Sequence, residues 1–223
     1  MALAIFDLDN TLLSGDSDYL WGQYLAEIGV VDAKTYESTN LRFYEDYKQG
    51  RLDIYAFLAF SLRPLAENTL DDLVHWRERF IEQRIRPLIG EPARQLVESH
   101  RKAGDTLLII TATNSFVTAP IAELFDIHHL IATIPEKLDG RFTGQVEGIP
   151  SFRDGKVTRL QDWLKDTHHS LEDATFYSDS HNDLPLLKMV DHPIAVDPDD
   201  ALLEHARNSG WPVITLHDAP TAA

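Results

Sequence analysis

The chain contains no cysteine, which excludes disulfides, thiolate metal sites and cysteine nucleophiles together. Positive charge is also scarce: 20 Lys and Arg stand against 36 Asp and Glu, a formal net charge of -16. Nonspecific binding to nucleic acid or to an anionic membrane needs cationic patches, so neither partner is expected. Long apolar runs are lacking; residues 54–62 and 106–110 are the longest and fall far short of the roughly 20 needed to cross a bilayer. The opening Met-Ala-Leu-Ala-Ile-Phe-Asp has no basic stretch ahead of an apolar one and no small-residue cleavage site. The expected compartment is therefore the cytoplasm. Repeats and low-complexity tracts are missing too.

What is present is an ordinary globular composition, 43% hydrophobic and 25% charged over 223 residues. That is enough for one large domain or one domain with an insert. Leu3–Phe6 is a short apolar run that stops at Asp7, as a buried parallel strand would at a functional edge. After a turn at Ser14 and Gly15, Leu20, Trp21, Tyr24, Leu25 and Ile28 recur at helical spacing and end at Gly29. Helical patterns follow over 32–48, 54–62 and 69–86, the last opening with a capping-box pattern at Thr69 to Asp72. No strand pattern interrupts residues 16–87. Beyond Pro92 the pattern alternates: helix 93–102 closed by Gly104, strand 106–110 ending at Thr111, helix 116–125, strand 130–134. A hairpin signal at Asp139-Gly140 follows, then helix 156–165, strand 174–178 ending at Asp179, helix 183–189, strand 193–196, helix 200–208 and strand 212–216. Residues 219–223 are expected to fray. The pattern predicts an α/β fold: a doubly wound, mainly parallel sheet formed by 1–15 and 88–223, with an all-helical insert over 16–87.

Four places carry chemistry. Asp7-Leu8-Asp9-Asn10-Thr11 follows the first strand, and two carboxylates there can serve as nucleophile and general acid/base. Thr111, with the backbone N–H of Ala112, can bind phosphate oxygens ahead of the next helix. Lys156, after Gly155 at a helix start, can neutralise charge on a nucleophile and a phosphoryl group. Tyr177-Ser178-Asp179-Ser180-His181-Asn182-Asp183 brackets a tight loop with two carboxylates, an oxygen-rich setting suited to Mg²⁺. A bound divalent cation would offset the negative charge that an acidic chain presents to a phosphate. Singly, each has a bland alternative: an Asp-rich turn, a strand-end Thr, an exposed Lys, a helix cap.

Taken in this order, the four resemble the haloacid dehalogenase (HAD) superfamily over essentially the whole chain, and among its members the phosphoserine phosphatase-like ones, which share the helical cap and the hairpin. The resemblance implies a Mg²⁺-dependent phosphatase with an aspartyl-phosphate intermediate acting on a small phosphorylated metabolite. Asp7 would be nucleophile and Asp9 general acid/base. Asp7, the Asp9 carbonyl and Asp179 would hold the metal, Asp183 would support it, and Thr111, Ala112, Lys156 and Asn182 would bind phosphate. P-type ATPases need membrane helices, dehalogenases lack a second aspartate like Asp9, and a response-regulator receiver is shorter. A noncatalytic binding module remains as the alternative of another class.

Two departures bear on substrate. The family's Gly-Asp-Gly-x-Asn-Asp stands here as Ser178-Asp-Ser-His-Asn-Asp183, which reduces backbone freedom in the loop. His181 is expected exposed. Asp16 occupies the place of the glutamate that holds the amine of phosphoserine, although it can equally cap a helix. The arginine for the carboxylate has no counterpart in 54–62, an apolar stretch expected to be core, with Arg51 and Arg63 at its ends. That pattern points away from phosphoserine and toward a phosphorylated amino alcohol such as histidinol phosphate. The doublets His128-His129 and His168-His169 are expected to be surface residues and not a zinc site.

Overall fold

The computed structural model describes residues 2–217; the expectation of fraying at 219–223 lies outside them. Seven strands form one sheet in the order β4-β3-β2-β1-β5-β6-β7. They are β1 (Leu3–Phe6), β2 (Thr106–Asn114), β3 (His129–Leu138), β4 (Arg141–Glu147), β5 (Thr175–Ser178), β6 (His192–Val196) and β7 (Val213–Ile214). All pairings are parallel except β3 with β4.

Central β1 shows why the sheet is wound on both faces. Ala4 and Phe6 belong to one apolar cluster, Leu3 and Ile5 to the other, so the period-two alternation of a strand faces core on both sides. Leu107 and Ile109 against Leu108 and Ile110 repeat the division on β2. The switch point lies between β1 and its neighbours, and a crevice at the carboxyl ends of these strands is the expected consequence.

Between β1 and β2 the described residues hold helices only: α1 (Ser17–Glu27), α2 (Ala33–Lys48), α3 (Ile54–Ser61), α4 (Arg63–Glu67), α5 (Leu70–Phe80) and α6 (Glu91–Ala103). Asp16, Asp32, Asp53 and Thr69 each accept a backbone N–H from the first turn of α1, α2, α3 and α5, which satisfies donors that a helix start leaves orphaned. The helical pattern expected to run to residue 86 is α-helical only to Phe80. It widens into a π turn over Ile81–Ile85 and tightens to a 3₁₀ turn at Arg86–Leu88, because Pro87 has no N–H to continue the ladder. Trp21 (2% exposed) anchors the insert, its ring 5.2 Å from that of Phe80 and 6.2 Å from that of Phe116.

The remaining helices are α7 (Ser115–Leu124), α8 (Asp154–Thr167), α9 (Leu184–Leu187) and α10 (Asp200–Ser209). In the β3–β4 turn Asp139 and Gly140 have φ of 50° and 79°, the two left-handed residues of a type I′ hairpin.

Candidate active site

The carboxylate of Asp7 sits where β1 ends. Its N–H donates to the Tyr177 carbonyl at 2.9 Å, so pairing with β5 fixes the backbone up to Asp7 itself. Lys156 Nζ donates to Asp7 Oδ1 and to Asp183 Oδ2, both at 2.8 Å. The Ser178 hydroxyl holds the same Asp183 oxygen at 2.8 Å. All three charged side chains are buried. Lys156 gets there because α8 starts close against the preceding loop. A Cβ on Gly155 would lie 2.0 Å from the Pro150 carbonyl oxygen, so only glycine permits the approach.

Burial pushes the Asp7 carboxyl up to about 7, against the pull of the Lys156 ammonium; the Asp183 and Asp9 charges add to the rise. Burial acts to strip Lys156 of its proton, but the Asp183 and Asp7 carboxylates outweigh it and hold the ammonium charged beyond its ordinary range. One cation is thus shared by two buried carboxylates. Lys156→Met would leave both without it, and the expected loss is about 3–5 kcal/mol of unfolding free energy near neutral pH. Urea unfolding of the variant checks this; a loss under about 1 kcal/mol would mean that the carboxylates do not depend on the lysine.

Asp9 is turned by Asn10, which adopts φ 57°, a left-handed conformation that asparagine tolerates. Asp9 Oδ1 accepts from the Ser17 N–H at 2.7 Å, and Oδ2 accepts from the hydroxyls of Thr113 at 2.8 Å and Thr111 at 3.3 Å. Thr113 did not stand out in the sequence. The reason is that β2 does not close at Thr111, as its apolar run suggested, but continues through a register shift to Asn114. Asn114 then caps α7, accepting from the Val117 N–H at 3.2 Å. The helix start therefore lies beyond Ala112, and the alternation Thr111-Ala112-Thr113 was the available signal.

Asp179, one residue past β5, exchanges two hydrogen bonds with the Thr11 hydroxyl, both 3.0 Å. Burial raises its carboxyl well above the usual range, with Asp7 and Asp183 contributing. The loop that follows needs no glycine: among the residues described, none from 178 to 183 has a positive φ. Ser178 Oγ accepts from the Ser180 N–H and Ser180 Oγ from the Asn182 N–H, each at 3.2 Å. Hydroxyls close the turn that the two glycines close in the family pattern. His181 is not an exposed loop residue. Its Nδ1 pairs with Asp199 Oδ2 at 2.7 Å, and its N–H donates to the same oxygen at 2.8 Å. Asn182 lies at the seam between insert and core. Its Oδ1 accepts from Arg153 Nε at 2.9 Å and its Nδ2 donates to the Tyr47 carbonyl at 3.2 Å.

A cavity of about 60 Å³ is lined on the sheet side by Asp7, Asp9, Thr111, Ala112, Thr113 and Lys156. The insert closes it with Asp16 and Asp18 and with an aromatic wall that includes Tyr19, Phe43, Tyr44 and Tyr47. Lys156 is its only lysine or arginine among the described residues. Asp16 caps α1, accepting from the Tyr19 N–H at 2.8 Å, and it also lines the cavity. Burial, with Asp9 nearby, pushes its carboxyl up to about 7. Ile54 and Phe57 also line the cavity, so α3 is not simply core, although Leu58 is. Arg51 and Arg63 pair with Asp46 at 2.7 Å and Glu67 at 3.4 Å and line no part of it. Of the histidine doublets, His128 is exposed, whereas His129 and His169 pack on Trp163, ring centroids 5.2 and 4.9 Å away. Trp163 explains the difference from the expected surface placement.

The donor chemistry fits a hard divalent cation. Lys156 engages Oδ1 of Asp7 and Thr11 engages Oδ1 of Asp179, so among the described residues the second oxygen of each carboxylate is left for a cation, and the two carboxylates, on adjoining strand ends, repel each other. Among the described residues no three His, Asp or Glu side chains converge as a cage, so a cation here would complete its shell from main chain, water and phosphate, as Mg²⁺ does.

Residues 4–188 match the family model for haloacid dehalogenase-like hydrolases. The chain is 48% identical over 218 residues to a histidinol-phosphatase of Neisseria meningitidis, covering 96% of this chain and 98% of that one. It is 30% identical over 225 residues to phosphoserine phosphatase SerB1 of Mycobacterium tuberculosis, covering all of this chain and 73% of that protein. Among solved structures it resembles a protein of unknown function from Bordetella pertussis Tohama I, with TM-score 0.92, 46% identity and coverage of 97% and 99%.

Proposed function

The chain belongs to the haloacid dehalogenase-like hydrolases and is a phosphoric monoester hydrolase, and from that premise we propose that its substrate is a phosphorylated amino alcohol such as histidinol phosphate. The observation that carries this reading is the cavity itself, where Asp7 and Asp9 share walls with Asp16 and where Lys156 is the sole cationic side chain among the described residues. A substrate amine finds a carboxylate there; a substrate carboxylate finds no counter-charge. Burying an unpaired charge is costly, which disfavours phosphoserine. The 48% identical histidinol-phosphatase supports the same choice.

In this reading Asp7 attacks phosphorus and becomes the aspartyl-phosphate, while Lys156 balances its charge and is braced by Asp183. The Thr111 hydroxyl and the Ala112 N–H take phosphate oxygens. Asp9 gives its proton to the leaving alcohol oxygen, then removes one from the water that cleaves the intermediate. Asp7, Asp179 and the Asp9 carbonyl would hold Mg²⁺, which when bound offsets the charge of the phosphoryl group. Asn182, which the resemblance assigns to phosphate, lies at the seam with its amide paired to Arg153 and Tyr47. Residues 16–87 act as the cap and 1–15 with 88–223 as the core. No helix among the described residues is long and apolar enough to cross a membrane, and the cytoplasm is the compartment we assign.

The substrate reading is tested by kcat/KM for histidinol phosphate and phosphoserine on wild type and Asp16→Asn. Wild type is expected to prefer histidinol phosphate, and the variant to lose much of that preference. Preference for phosphoserine, or a ratio indifferent to Asp16, would contradict it. The metal assignment has its own test. Exhaustive chelation is expected to remove activity, Mg²⁺ to restore it and Ca²⁺ to inhibit, because Ca²⁺ accepts more oxygen ligands at longer range and would engage both oxygens of the nucleophile. Full turnover after chelation would refute that assignment.

A further inference from the structure

Helix α1 brings a second carboxylate to the cavity. Asp18 lines it two residues beyond Asp16. Among the described residues the influences on the Asp18 carboxyl are burial and the like charges of Asp16 and Asp9, with no hydrogen bond or cation among them. Asn40 of α2 lines the same space and is 4% exposed. Its Nδ2 donates to the Tyr19 carbonyl at 3.1 Å, which leaves Oδ1 as an acceptor without a protein partner among the described residues. Aromatic rings pack in pairs around these groups, Tyr19 on Tyr44 at 4.9 Å and Phe43 on Phe57 at 5.5 Å between centroids.

We propose that Asp18, with Oδ1 of Asn40, reads a second nitrogen-bearing group of the substrate: a flat heteroaromatic ring that presents N–H donors or a positive charge. This rests on the amino-alcohol reading and adds to it a group farther from phosphorus than the amine. The order of the acids supports that placement. Asp16 is the cap of α1 and Asp18 stands in its first turn, so the two carboxylates follow one another along α1, and Asp18 is the farther in sequence from Asp7 and Asp9. A protonated or N–H-bearing ring supplies the counter-charge or donor that Asp18 lacks, and aromatic walls favour a flat cation. A phenyl ring of similar shape would stack equally well but leave Asp18 and Asn40 desolvated and unpaired. Sites built to receive an N–H discriminate strongly against analogues without one.

The test compares kcat/KM for L-histidinol phosphate and L-phenylalaninol phosphate, which share the amine and differ in the ring nitrogens. Wild type is expected to favour histidinol phosphate by about tenfold or more. Asp18→Asn should pull that ratio toward one, while Asp16→Asn lowers both substrates and keeps the ratio. A wild-type ratio near one overturns the proposal, and that result does not depend on any variant folding. A ratio that survives Asp18→Asn in folded protein overturns it as well. Wild type that hydrolyses p-nitrophenyl phosphate but neither aminol phosphate would instead refute the amino-alcohol reading beneath it; equal turnover of both leaves that reading standing and ends this one.

Discussion

Asp7→Asn is expected to abolish turnover, by roughly 10⁴-fold or more, and to prevent formation of any phosphoenzyme. The amide is nearly isosteric, so the change falls on chemistry more than on shape. Its oxygen can still accept from Lys156, now at 2.8 Å from Asp7 Oδ1, and one buried negative charge is removed where burial already pushes the carboxyl up to about 7. The variant should therefore fold and bind phosphate, and its melting temperature should match or exceed that of wild type. An amide is a poor nucleophile, so activity should vanish for every phosphate ester alike. Turnover within tenfold of wild type would remove Asp7 from the mechanism.

Asp9→Asn should differ in a diagnostic way. The loss expected is of the order of 10²–10⁴-fold for alkyl phosphates, whose leaving oxygen needs a proton, and much smaller for a nitrophenyl ester, whose leaving group does not. The Asn side chain can keep the acceptor for the Ser17 N–H, and the Thr113 hydroxyl can rotate to accept from the new amide; these contacts are 2.7 and 2.8 Å in the parent. Metal binding should survive, since the carbonyl assigned to the metal belongs to the main chain. Single-turnover rates for the two ester classes supply the check, and equal losses for both would show that Asp9 is not the acid.

The parts of this site that the sequence disclosed are those fixed by local pattern. Strand periodicity suffices to put Asp7 and Asp179 at the ends of buried apolar runs, whereas Lys156, which alone reads as an exposed helix-start lysine, joins them only through the family resemblance. What stayed hidden depends on tertiary placement. Thr113 contacts Asp9 only because β2 shifts register and runs on to Asn114, and nothing in the apolar run announces a bulge. Tyr44, Tyr47 and Phe43 of α2 line the same cavity as the strand-end residues Asp7, Asp9 and Thr111, while their spacing alone says only that a helix is present. The family resemblance makes Asn182 a phosphate contact. Its partners, Arg153 and Tyr47, lie 29 and 135 residues away, and no local signal shows such a seam. For Asp16 the sequence offered two roles as alternatives; the structure allows both because a cap residue uses one carboxylate oxygen and α1 starts at the cavity wall.

The central claim is that phosphate passes through a covalent bond to Asp7. The direct measurement is a rapid acid quench of wild type turning over ³²P-labelled substrate with Mg²⁺, followed by peptide mapping of the acid-stable label. The account predicts label on the peptide that contains Asp7, chased by unlabelled substrate at the rate of turnover and missing in Asp7→Asn. Active enzyme that carries its label on another residue, or that turns over with no labelled protein at any quench time, would contradict it.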